Sequence, residues 1–82
     1  MHEEIRRVLA THARLPVDVA TLSDDADLYQ AGMTSHASVT VMLALEDAFD
    51  VEFPDEMLTR GVFASIGAMA DAVSTLRGEP AA

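Results

Sequence analysis

Apolar positions recur at helical spacing in three stretches of the chain, and no stretch alternates as a strand would. In the first, Glu3 to about Arg14, the stripe is Ile5, Val8, Leu9 and His12. Glu3 and Glu4 near its start and Arg14 near its end complement the helix dipole, and Leu15-Pro16 closes it, because a residue before proline avoids the α region. The second runs from Ser35 to about Asp50 with Val41, Met42, Leu45 and Phe49 on one stripe. Thr34 or Ser35 supplies its N-cap oxygen. The third begins behind Ser65, whose hydroxyl caps it, and carries Ile66, Met69, Ala70, Val73 and Leu76. Between them lie two connections. Residues 16–34 hold the turn formers Ser23, Asp24, Asp25 and Asp27 and the apolar anchors Leu22, Leu28 and Tyr29, so this loop is packed down, with a short helical turn near Asp25–Leu28. Gly32 ends it, where a positive φ or a close backbone approach is expected. After the break at Val51-Glu52-Phe53-Pro54, Asp55 caps a short helix through about Thr59. Met57 and Leu58 face inward, Gly61 stops the helix, and Phe63 anchors the loop. The methionines at 42, 57 and 69 read as core filler. The expected fold is an all-α bundle of three main helices and one short one, with residues 1–78 as a single domain and 79–82 as a flexible tail.

Composition narrows the function. The 82-residue chain has fourteen Asp and Glu against five Arg and no Lys, a net charge of −9, and such a surface repels a phosphate backbone. Nucleic acid is therefore not an expected partner. No apolar run reaches membrane-spanning length, and Met1-His2-Glu3-Glu4 does not read as a signal peptide. A cytoplasmic monomer is the expectation. Cysteine is absent, which removes disulfides, thiolate zinc sites and native thiol chemistry. The cluster Asp24-Asp25-x-Asp27 lacks the glycine and distal glutamate of an EF-hand loop, so no metal site is expected. No nucleophile–base–acid set or phosphate-binding glycine loop stands out, and the chain does not read as an enzyme.

The informative tract is Ala31-Gly32-Met33-Thr34-Ser35-His36-Ala37. A loop ends in glycine and a serine opens the longest helix. Ser35 has two readings: a plain N-cap, or a hydroxyl placed where the unsatisfied N–H groups and positive end of a helix favour an esterified phosphate. His36 likewise has two: a solvated histidine, or a contact to phosphate or partner.

These residues resemble the acyl and peptidyl carrier protein family. Gly32-Met33-Thr34-Ser35-His36 is similar to its Gly-x-Asp-Ser-Leu motif. Ala44-Leu45-Glu46-Asp47-Ala48-Phe49 and Val51-Glu52-Phe53-Pro54-Asp55 follow in register. Asp27-Leu28-Tyr29-Gln30-Ala31-Gly32 and Phe63-Ala64-Ser65-Ile66 extend the resemblance over nearly the whole chain. It implies a small four-helix acyl-carrier-like bundle that carries 4′-phosphopantetheine on Ser35, attached by a phosphopantetheinyl transferase. The arm then provides the thiol that the chain lacks.

The sequence departs from that pattern at Thr34, His36, Ala37 and Thr40, where the family commonly has Asp, Leu and two acids. The acidic face for basic partners is thinned to Glu46, Asp47 and Asp50, and Val39 and Leu43 offer apolar contacts instead. Thr34, His36, Val39, Thr40, Leu43, Glu46 and Asp47 are the candidate docking residues. The tract is similar to a narrower group, the stand-alone bacterial aminoacyl carrier proteins. This resemblance implies a cargo of glycine or another small amino acid, loaded by an amino acid:carrier protein ligase that resembles seryl-tRNA synthetase. Two alternatives stand beside it: a carrier of acyl groups in fatty-acid, polyketide or nonribosomal peptide synthesis, and an unmodified acidic helical adaptor.

Overall fold

The computed structural model describes residues 1–78; the expected tail, 79–82, lies outside the described residues. Four α-helices and no strand are found among them: α1 (His2–His12), α2 (Ser35–Phe49), α3 (Arg60–Phe63) and α4 (Ile66–Leu76). Two 3₁₀ turns, Val19–Thr21 and Asp55–Met57, lie in the connections. The three long helices pack around a core in which Ile5 and Leu9 of α1 meet Val41 and Leu45 of α2 and Ile66, Met69 and Val73 of α4. Each of these is fully out of solvent. The stripes expected from spacing are therefore the buried stripes, with Val8, Met42 and Leu76 half-buried at their margins.

α1 is shorter than its pattern. It ends at His12, and Arg14 adopts a left-handed backbone at φ +53. The chain must reach an extended conformation before Pro16, and the reversal at Arg14 makes that turn. The long connection is tied to the bundle as expected. Leu28 is buried and Leu22 and Tyr29 pack half-buried against the core, with Val19 and Met33 as further buried anchors. The Arg6 guanidinium donates to the Val19 carbonyl and to Asp24, each at 2.8 Å. The Leu28 N–H donates to the Ala64 carbonyl at 2.7 Å, and the Gly67 N–H to the Asp24 carbonyl at 2.8 Å.

The helical turn expected near Asp25–Leu28 is a single turn displaced slightly, from Asp27 to Ala31: the Ala31 N–H donates to the Asp27 carbonyl at 3.1 Å and the Asp27 carboxylate accepts from the N–H groups of Tyr29 and Gln30. A 3₁₀ turn that the pattern does not show lies earlier, at Val19–Thr21, where the Asp18 carboxylate accepts from the Ala20 N–H. Gly32 has φ +121, and a Cβ there would sit 2.7 Å from Pro16 Cδ. Both expectations for this glycine hold.

The short helix also differs. Asp55 begins a 3₁₀ turn with Pro54 at the N-cap position and no side-chain cap. Leu58 and Thr59 leave helical geometry, and the one-turn α3 starts only at Arg60. Gly61 is inside α3 rather than at a stop, and Phe63 is its buried anchor, its ring 5.5 Å from that of Phe53. Leu58, expected to face inward, is 44% exposed.

Candidate functional site

The site begins with the division of labour between Thr34 and Ser35. Thr34 is extended (φ −85, ψ 163), and its Oγ1 accepts from the Ala37 N–H at 3.0 Å, which makes it the N-cap of α2. Ser35 is the first helical residue. Its carbonyl accepts from the Ser38 hydroxyl at 2.7 Å. Its own hydroxyl makes no hydrogen bond with any described residue, and the residue is exposed. The cap expected from Thr34 or Ser35 is thus held by Thr34, which leaves the serine oxygen available. Positioning comes from the Gly32 turn: the Met33 N–H donates to the Leu28 carbonyl, and the Met33 side chain is buried. No acidic side chain occupies the first turn of α2. An anion there gains about 0.3–1 kcal/mol from the helix dipole.

Two recesses flank this helix head. On the α3 side a groove of about 270 Å³ is lined by Ser35 itself with Val39, Met42, Leu58, Arg60 and Phe63 among its walls. Arg60 lies over the Tyr29 ring, 4.0 Å from its centroid, at the same groove. On the α1 side a recess of about 480 Å³ lies between the end of α1, Gly32, Thr34 and His36. The periodicity of α2 explains the split, since 35, 38, 39 and 42 share one face and 36, 37 and 40 the next. An exposed, uncommitted hydroxyl at a helix N-terminus, opening on a partly apolar groove, fits a phosphodiester with an uncharged extension. Ser35 would hold that group, with the free N–H groups of the first turn facing its phosphate.

The remaining candidate residues are not brought into one patch. Val39, 52% exposed, lies on the α3 side with Ser35. His36 and Thr40 lie on the α1 side, and Leu43, 57% exposed, continues there beside Asp47 and Val8. Glu46 is half-buried, and its carboxylate accepts from the Phe53 N–H at 2.8 Å, so it ties the chain after α2 back onto the helix. The acids of the 24–27 cluster are each engaged locally: Asp24 with Arg6, Asp25 with the Ser23 hydroxyl, and Asp27 with its turn. Tyr29, Leu58 and Arg60 line the groove with Ser35, a place that the sequence pattern assigns to none of them. For Leu58 and Arg60 the approach depends on where α3 begins, and a one-turn helix has no periodicity to show it.

Comparison with known proteins supplies the class. Residues 3–73 match the family described as "Phosphopantetheine attachment site", and this chain belongs to that family. It is 52% identical over 76 residues to the aminoacyl carrier protein of Agrobacterium fabrum, covering 93% of this chain and 92% of that protein. Its fold is similar, at a TM-score of 0.88 and 53% identity, to a chain in the crystal structure of an engineered Bradyrhizobium japonicum glycine:[carrier protein] ligase complexed with carrier protein from Agrobacterium tumefaciens and AMP. That likeness covers 90% of this chain and 99% of the other. A solution structure of an Agrobacterium tumefaciens protein matches at a TM-score of 0.76 and 50% identity, over 95% and 94% of the two chains.

Proposed function

We propose that this chain is an aminoacyl carrier, with Ser35 as the acceptor of 4′-phosphopantetheine and glycine or another small amino acid as cargo. The single observation that carries the reading is the exposed Ser35 hydroxyl, left without a hydrogen-bond partner at the head of α2 because Thr34 does the capping. When attached, the arm supplies the terminal thiol to which an amino acid is bound as a thioester. The chain's own part is to hold and present. Thr34 fixes the start of the helix, the first-turn N–H groups that it leaves free would face the phosphate, and the groove walls keep the Ser35 side of α2 partly apolar. In this reading the chain is a carrier and not an enzyme, which its membership of the phosphopantetheine attachment family supports.

The partners proposed are a phosphopantetheinyl transferase and an amino acid:carrier protein ligase resembling seryl-tRNA synthetase. The likeness to the carrier in the glycine:[carrier protein] ligase complex supports the second. Thr34, His36, Val39, Thr40, Leu43 and Asp47 would meet these enzymes, and Glu46 would shape the far end of the surface through Phe53. Nucleic acid and membrane are not among the partners proposed. The net charge of −9 disfavours the first, and no described helix is long and apolar enough to cross the second. We place the carrier in the cytoplasm as a monomer, one domain over residues 1–78.

Intact-mass measurement tests the reading in two stages. Coenzyme A and a phosphopantetheinyl transferase should add one phosphopantetheine to the wild type and none to Ser35→Ala. Glycine, ATP and the ligase should then add one glycyl group to the modified chain. Loading by an acyl ligase in place of the aminoacyl ligase would make it an acyl carrier. Failure of the first stage, together with a salt-sensitive complex of unmodified chain, would make it an adaptor.

A further inference from the structure

The recess on the α1 side gathers basic side chains that the fold leaves unpaired. His12, Arg14 and His36 line it with Thr34 and Thr40, and no carboxylate is among its walls. None of the three side chains makes a hydrogen bond or ion pair with a described residue. The other arginines of the first 70 residues are placed differently. Arg6 is held by Asp24, Arg60 lies on Tyr29, and Arg7 shares a shallow pocket with Glu4 that His12 also borders, so Arg14 and His36 are the two of the three that line no recess with an acid. In a chain of fourteen acids, this face of the α2 head is kept free of all of them. Ala37 and Thr40 stand on α2 where acids would otherwise face the recess, and His36 adds a basic ring. The left-handed turn that ends α1 brings Arg14 to the same face.

Resting on the aminoacyl-carrier reading, we infer that this recess docks acidic side chains of the enzyme that loads the carrier. The arm's phosphate belongs to the neighbouring face, where Ser35 opens on the other groove. A nucleic acid is repelled by the chain as a whole. What remains complementary to an open basic recess beside the modified serine is a protein surface bearing carboxylates. The charge beside α2 then has a direction, positive at Arg14 near its head and acidic at Asp47 and Asp50. An enzyme must present acid near Ser35 to dock in register. A partner whose basic patch expects acid at the helix head meets like charge instead.

Steady-state glycyl loading of the phosphopantetheinylated full chain tests this, with the Bradyrhizobium japonicum glycine:[carrier protein] ligase as the probe. The Arg14→Glu/His36→Glu double variant should raise KM by about tenfold or more and leave kcat within about twofold. Arg14→Lys should stay within about threefold of the wild-type KM. Raising salt from about 50 to about 300 mM should raise the wild-type KM and lower that of the double variant, because screening weakens attraction in the first and repulsion in the second. Both side chains are exposed and unpartnered, so folding does not confound the comparison. A wild-type KM matched by the double variant, or a loss confined to kcat, overturns the inference and leaves the carrier reading standing. Wild-type chain that accepts phosphopantetheine but is never loaded with glycine overturns both.

Discussion

Thr34 and Ser35 are neighbours of similar chemistry with separable tasks. The Thr34 oxygen is committed to the Ala37 N–H, and the Ser35 oxygen to nothing in the described chain. Thr34→Ala should therefore lose about 1 kcal/mol of stability as a missing N-cap, measured by urea denaturation, and still accept phosphopantetheine. Ser35→Ala should shift stability by no more than about 0.5 kcal/mol and accept none. Equal destabilisation by the two changes would show that the serine shares the cap. Gly32 is the other residue whose identity the geometry demands. Its φ of +121 and the 2.7 Å approach to Pro16 leave no room for a side chain. Gly32→Ala should cost more than about 1 kcal/mol, and it should slow modification as well, because the turn that positions Ser35 must shift.

At the scale of elements, α2 is the shared wall. Val41, Leu45 and Phe49 face the core, and the remaining faces border the two recesses. Phe49 is 8% exposed at the end of this stripe. Phe49→Ala should cost about 3–5 kcal/mol by loss of buried area and creation of a cavity, a large share of the roughly 5–15 kcal/mol typical of a domain. A melting curve displaced by less than a few degrees would mean that the ring contributes little to the bundle. α3 contributes differently. With one turn it has almost no stability of its own. Phe63 against Phe53 and Arg60 on Tyr29 hold it in place. The groove beside Ser35 therefore has one rigid wall and one that depends on a few contacts.

Charge governs the behaviour of the whole molecule. Fourteen acids against five arginines produce self-repulsion in the compact state, and few ion pairs offset it among the described residues. Adding sodium chloride from about 10 to about 300 mM should raise the thermal midpoint by screening that repulsion. A midpoint that falls would show that specific pairs such as Arg6–Asp24 outweigh the net field. The same imbalance sets the isolated basic recess apart from the rest of the surface.

The sequence by itself determined the three long helices, because their burial patterns repeat over several turns and Ser65 and the Thr34-Ser35 pair mark two of the starts. It determined Gly32, whose place between a packed loop and a helix demanded an unusual backbone. It also made Ser35 legible as the candidate site, through the resemblance to carrier proteins that its register with Phe49 and Pro54 carries. Tertiary structure decided what short-range pattern cannot encode. It assigned the cap to Thr34, added a 3₁₀ turn at Val19–Thr21, and delayed α3 to Arg60 so that Leu58 faces outward. It also joined Arg14 and His12 to His36 across the helix interface. One-turn elements lack a period from which a face can be read, and residues distant in sequence meet only when the core has fixed the helices that carry them.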